Sequence, residues 1–119
     1  MSHVVTIRTE VRDLNAITAA CLRLSLPRPA EEEVQLFSSR VRGTVVRLPG
    51  WRYPVVCDLA SGQVNFDNFE GHWGDQRELE RFLQAYAVEK AKLEARKRGY
   101  SVSEQPQQDG SIRVQIITA

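Results

Sequence analysis

The densest set of chemically capable side chains lies in nine consecutive residues, Asp67-Asn68-Phe69-Glu70-Gly71-His72-Trp73-Gly74-Asp75. Two aspartates, a glutamate, an imidazole and an indole precede a stretch of helical periodicity, whose N-terminus can hold an anion. His72, Asp67 and Asp75, with Cys57, would be the groups of a small metal- or cofactor-dependent enzyme if they converged on one pocket with perturbed ionisation. One histidine among carboxylates, without a second histidine or cysteine nearby, matches no metal-ligand spacing, so neither metal nor cofactor is expected. The structural alternative makes Gly71 and Gly74 turn residues, Asp75 a helix cap, His72 solvent-exposed and Trp73 a cover over the sheet edge. An exposed Trp73 would instead anchor a protein partner, because tryptophan is enriched at interface hot spots. His72 and Trp73 are therefore the candidate contacts for a protein.

The remaining candidates are weaker. His3 shares strand parity with Val5 and Ile7, and a pairing with His72 would need the first strand to end beside the loop. Cys21 and Cys57 form no CxxC pattern and read as reduced core thiols, since a nucleophilic cysteine needs a base to form its thiolate. No GxSxG, HExxH, P-loop or dinucleotide fingerprint is present, so no enzyme is expected. Arg40, Arg42, Arg47 and Arg52 fall in a stretch without acidic residues, interleaved with Trp51 and Tyr53. Strand-borne arginines beside aromatics can hold single-stranded nucleic acid through phosphate charge and base stacking. They also serve as a solvated sheet face that discourages edge pairing. Lys90, Lys92, Arg96, Lys97 and Arg98 alternate with Glu89 and Glu94 and read as a solvated helix face.

The elements that position these residues follow from periodicity. Val4 to Val11 alternates as a first strand. Asp13 caps a helix whose Leu14, Ile17, Cys21 and Leu24 share one face, and Pro27 and Pro29 end it. Pro27 to Glu33 reads as a loop, Val34 to Ser38 as a short strand and Val41 to Leu48 as a longer, β-branched one. Pro49-Gly50 turns into a strand at Tyr53 to Leu59, and Ser61-Gly62 turns into Gln63 to Asp67. Asp75, with Glu78 in capping-box spacing, opens a second helix. Its Leu79, Phe82, Leu83, Tyr86, Lys90 and Leu93 form one face, and Gly99 stops it. Tyr100 to Gln105 and Ser111 to Thr118 are last strands joined at Asp109-Gly110. The expected class is α+β, in the order β-α-β-β-β-β-α-β-β. Two helices are expected on one face of a mostly antiparallel sheet of about six or seven strands.

Length and composition agree with one domain over residues 1–119. The chain has 119 residues, 42% hydrophobic and 26% charged, near globular averages and far from disordered or fibrous compositions. No apolar run approaches the roughly 18 residues of a membrane span, and the start lacks a signal-peptide pattern, so a soluble cytoplasmic protein is expected. A net charge of +1 gives no global bias towards nucleic acid or anionic membrane. Exposed edge strands at Val34 to Ser38 or at the C-terminus leave a monomer or a homodimer open.

Met1-Ser2-His3, Ile7-Arg8-Thr9, Arg12-Asp13-Leu14, Gly99-Tyr100-Ser101-Val102, Glu104-Gln105 and Asp109-Gly110-Ser111-Ile112-Arg113 together resemble the family of the hypothetical chloroplast reading frame thirty-five. That family is also known as domain of unknown function twelve fifty-seven. Tyr53-Pro54-Val55-Val56-Cys57-Asp58, Trp73-Gly74-Asp75-Gln76 and the run from Phe82 to Lys90 are similar to its bacterial branch. The resemblance implies no reaction and no catalytic residues. It implies an accessory or adaptor role, because the family's genes accompany AAA-type ATPases, a second small protein of unknown function and sometimes a ferredoxin. The sequence thus points first to a non-enzymatic protein-interaction or assembly module, then to single-stranded nucleic-acid binding, and third to a small metal-dependent enzyme.

Overall fold

Among the described residues, seven strands and two capped α-helices follow one another in the order β-α-β-β-β-β-α-β-β. The computed structural model describes residues 10–118 and the backbone of 5–8. His3 and the side chains of the first strand lie outside the described residues. The elements are β1 (Val5–Arg8), α1 (Leu14–Arg23), β2 (Ala30–Gln35), β3 (Arg40–Val46), β4 (Val55–Asp58), β5 (Gln63–Phe66), α2 (Gln76–Lys97), β6 (Ser101–Pro106) and β7 (Ile112–Ile117).

The strands form two antiparallel sheets rather than one. Five pair in the order β1-β5-β4-β3-β2, while β6 and β7 pair only with each other. The cause is α2, whose 22 residues carry the chain roughly 33 Å from β5 at 1.5 Å per residue. The last hairpin therefore starts at the far end of that helix and runs back along it, Glu104 reaching Lys92 and Gly110 O accepting from Gln84 Nε2, instead of joining an edge of the larger sheet.

Register assigns the faces of the larger sheet. Thr44 opposes Cys57 and Val46 opposes Val55, while Cys57 also opposes Val64, so Val46, Val55, Cys57, Val64 and Phe66 share one side. Those side chains form a single core with Ile17, Ala20 and Cys21 of α1 and Leu79 and Phe82 of α2, which puts both helices on one face as expected. Asp13 caps α1 by accepting from the N–H groups of Asn15 and Ala16, and its other oxygen accepts from Lys90 Nζ at 3.0 Å. The Tyr86 hydroxyl accepts from the N–H groups of Arg12 and Asp13 and donates to Glu10 O. The middle of α2 thus fixes the entry to α1.

Two local readings are corrected. Residues 30–33 are strand rather than loop: Glu31, Glu32 and Glu33 lie opposite Thr44, Gly43 and Arg42. Glutamate has poor strand propensity, but here the neighbouring strand supplies arginines as cross-strand partners. The capping box at α2 does not close. Asp75 accepts from the Arg77 N–H, but the Glu78 carboxylate pairs with Arg81 instead of reaching back.

On the side away from the helices, Val45 and Val56 are also buried, as is Leu36 just past the end of β2. At Gly43, β3 lies close against β4. A Cβ there would stand 2.7 Å from Cys57 O and 2.9 Å from Val56 Cγ1, closer than real Cβ atoms come, so only glycine lets the strand cross β4 so tightly. Phe37, in the turn after β2, lies against Trp73.

Candidate functional site

Three loops converge at that contact. Phe37 comes from the β2–β3 turn, Tyr53 from the segment between β3 and β4, and Phe69, His72 and Trp73 from the segment between β5 and α2. Trp73 is the hub: its ring centroid lies 5.1 Å from Phe37, 5.5 Å from Tyr53 and 4.8 Å from Phe69. The last two contacts are edge-to-face, the favourable arrangement for aromatic quadrupoles. His72 stacks on Phe69 at 4.8 Å. The Arg52 guanidinium lies over both Trp73 and Tyr53, 5.0 and 5.5 Å from their centroids. That is cation–π distance.

The backbone sets this arrangement before any partner arrives. Asn68 is buried; its carbonyl accepts from the Gly71 and Trp73 N–H groups, and its amide donates to Gly74 O and Gln76 Oε1. Phe69, Glu70 and Gly71 all have positive φ, at 46°, 52° and 95°. Two of these are not glycine and cost about 1–2 kcal/mol each in that region. The Arg52 N–H donates to Trp73 O at 2.8 Å, tying the second loop to the third. His72 Nδ1 lies 2.9 Å from Phe69 O. A carbonyl only accepts, so Nδ1 is the donor in this contact and Nε2 is left facing the surface.

The exposure of the cluster is graded. Phe37 is 52% exposed, Arg52 and His72 are exposed, and Tyr53, Phe69 and Trp73 are half-buried. Trp73 is neither buried cover nor free anchor but the half-open centre of a ring cluster. Sequence reasoning missed Phe37, because nothing local announces that a turn 36 residues before Trp73 folds back onto the loop; Phe69 lies within the loop and was not singled out as a contact. Trp51, read beside Tyr53 as a stacking residue, belongs to the core. Its ring packs on Phe66 and above Gly74, and its Nε1 donates to Asp75 O.

The four arginines are not brought together. Arg40 and Arg42 lie on β3, Arg47 follows its end and Arg52 is in the loop before β4, all four exposed. Arg40 pairs with Glu33 at 2.8 Å, Arg42 with Glu31 at 3.6 Å and Arg47 with Glu32 at 3.6 Å. Arg52 alone of the four has no carboxylate partner among the described residues.

The groups of the enzyme hypothesis face different ways. Asp67 is sealed, with one oxygen accepting from the Phe69 N–H and Oδ2 without a partner among the described residues. Asp75 is exposed and engaged by Arg77. Cys57 lies in the core, where burial and then the neighbouring Cys21 push its thiol up to about 12. Burial raises Cys21 to about 11, although it lines a cleft of about 390 Å³ with Leu22, Leu26 and Arg28. Neither sulfur is a thiolate near neutral pH. Among the described residues no three His, Cys, Asp or Glu side chains cluster as metal ligands, and no helix is long and apolar enough to cross a membrane.

No family model matches the chain, and neither a curated protein nor a solved structure aligns significantly with it.

Proposed function

We propose that this chain is a non-enzymatic interaction module that docks a protein partner on the Trp73 cluster, with Arg52 and His72 at the rim. The observation that carries the reading is the convergence of three loops on a half-open set of rings, capped by a guanidinium that has no carboxylate partner among the described residues. Aromatic and arginine side chains in such a setting are the residue types that dominate binding energy at protein interfaces. The strained, internally bonded loop fixes their positions in advance, which lowers the ordering cost of association. The resemblance to the reading-frame family makes an AAA-type ATPase the first partner to try, and a cytoplasmic setting goes with that choice.

The test is affinity capture of the tagged chain from nuclease-treated native lysate, with Trp73→Ala, Arg52→Ala and His72→Ala beside it. A partner held by the parent chain and lost with Trp73→Ala and Arg52→Ala supports the reading. Identical captures from all four proteins would sink it. Arg52 and His72 are exposed, so their variants separate lost contact from lost folding.

Arg52 over Trp73 and Tyr53 also favours a second reading, stacking of single-stranded nucleic acid on the same rings. It requires oligonucleotide affinity that falls steeply with salt and disappears with Arg52→Ala. The ion pairs of Arg40, Arg42 and Arg47 leave it only one of its four cations unpaired.

A further inference from the structure

The β6–β7 ribbon is half of an unfinished sheet. No residue of either strand is buried. Register places Val102, Glu104, Ile112, Val114 and Ile116 on one face. Glu104 on that face reaches Arg23 and Lys92, so it is the face turned to the helices. Ile116 and Ile117 remain 49% and 51% exposed. A two-stranded ribbon is marginal by itself, and a bare aliphatic edge is a template for another strand. Among the described residues no backbone hydrogen bond reaches the outer edge of β7. The edge of β6 ends in Pro106, which has no N–H to offer.

We infer that β7 pairs antiparallel with β7 of a second copy of this chain, across a two-fold axis at Val114, making a four-stranded sheet. The charge pattern selects this occupant. With Val114 on the axis, Ile112 faces the partner's Ile116, and Arg113 faces the partner's Gln115. No like charges oppose each other, and the apolar row continues on one face. Self-pairing of the exposed edge at β2 centred on Glu32 would instead set Glu31 against the partner's Glu33. An isologous contact closes after two copies, whereas β7 on β2 would propagate.

The register makes the test specific. Gln115 is exposed and faces neutral Ser103 within its own chain, so charging it leaves the fold intact. Sedimentation equilibrium of the full chain, from low micromolar to several hundred micromolar, reads the monomer–dimer constant. Gln115→Lys, opposite the partner's Arg113, is expected to weaken the dimer about fivefold through two symmetry-related pairs, and Gln115→Glu to tighten it by a similar factor. Arg113→Glu added to Gln115→Lys restores it. A strictly monomeric parent chain, a dimer indifferent to these charges, or growth beyond two copies would each overturn the inference. A monomer whose β7 edge is protected from hydrogen exchange only by an added partner protein would also overturn it.

Discussion

On its helix side the larger sheet presents Val46, Val55, Cys57, Val64 and Phe66 to a dry core, whereas the β6–β7 ribbon meets the same α2 without burying one residue. The ribbon is held by ion pairs, together with the half-buried Val102, Ile112 and Val114 and a hydrogen bond from Gln84 Nε2 to Gly110 O. Glu104 of β6 accepts from Arg23 of α1 at 2.6 Å and Lys92 of α2 at 2.8 Å, and Glu89 approaches both cations at 3.4 and 3.1 Å. Sequence composition alone does not separate the two regions, since Ile112, Val114 and Ile116 are as aliphatic as β4. The difference teaches that an apolar face is worth its area only when something covers it. The core should therefore answer to side-chain volume, and the ribbon to pH and salt.

The largest expected effect is in the core. Phe82→Ala removes a fully buried ring and should cost about 3–5 kcal/mol in urea-induced unfolding, followed by fluorescence. A loss under 1 kcal/mol would mean that the core is not the source of stability. Gly43→Ala should cost about 1–3 kcal/mol, because the new methyl meets backbone at Cys57 rather than a flexible chain end. Its amide spectrum should change at Phe37 and Trp73 as the hairpin tip lifts.

Glu104→Gln should cost about 1–2 kcal/mol and speed hydrogen exchange in residues 101–117 without reaching β3 to β5. Hydrogen bonds from Arg23, then Lys92, hold the Glu104 carboxyl down at about 2, against an ordinary 4.5. Its contribution is therefore complete above pH 4.5 and is lost as the pH falls towards 2, and the ribbon should open over that window. Equal acid sensitivity in the Glu104→Gln protein would assign the transition elsewhere. The smallest effect is that of salt. At 1 M the screening length is about 3 Å, and ribbon protection should fall by less than 1 kcal/mol while the core is unchanged.

Legibility in the sequence tracked the range of the interactions. Helix α2 was readable from Asp75 to Gly99 because caps and a 3.6-residue period are local. The buried state of Cys21 and the capping role of Asp75 follow from the same signals. The Glu31–Glu33 strand was not readable, since the strand it pairs with and the arginines facing it lie seven or more residues away. Nor was the split into two sheets, which depends on where a long helix delivers the chain. Within the candidate site, His72 and Trp73 stood out by type, but Phe37 joins them only through tertiary folding of the β2–β3 turn, which no local signal announces. The lone glycine inside a β-branched run marked only the close approach of β3 to β4.

The Tyr86 hydroxyl that stitches the backbone of Glu10, Arg12 and Asp13 also sets a schedule for synthesis. Its bond to Arg12 spans 74 positions. At about 5–20 residues per second, Ile17, Ala20 and Cys21 leave the ribosome roughly 4–15 s before α2 exists to cover them. Through that interval the nascent chain displays an apolar helix face, a span in which a chaperone has work and a prematurely stopped chain has no native refuge.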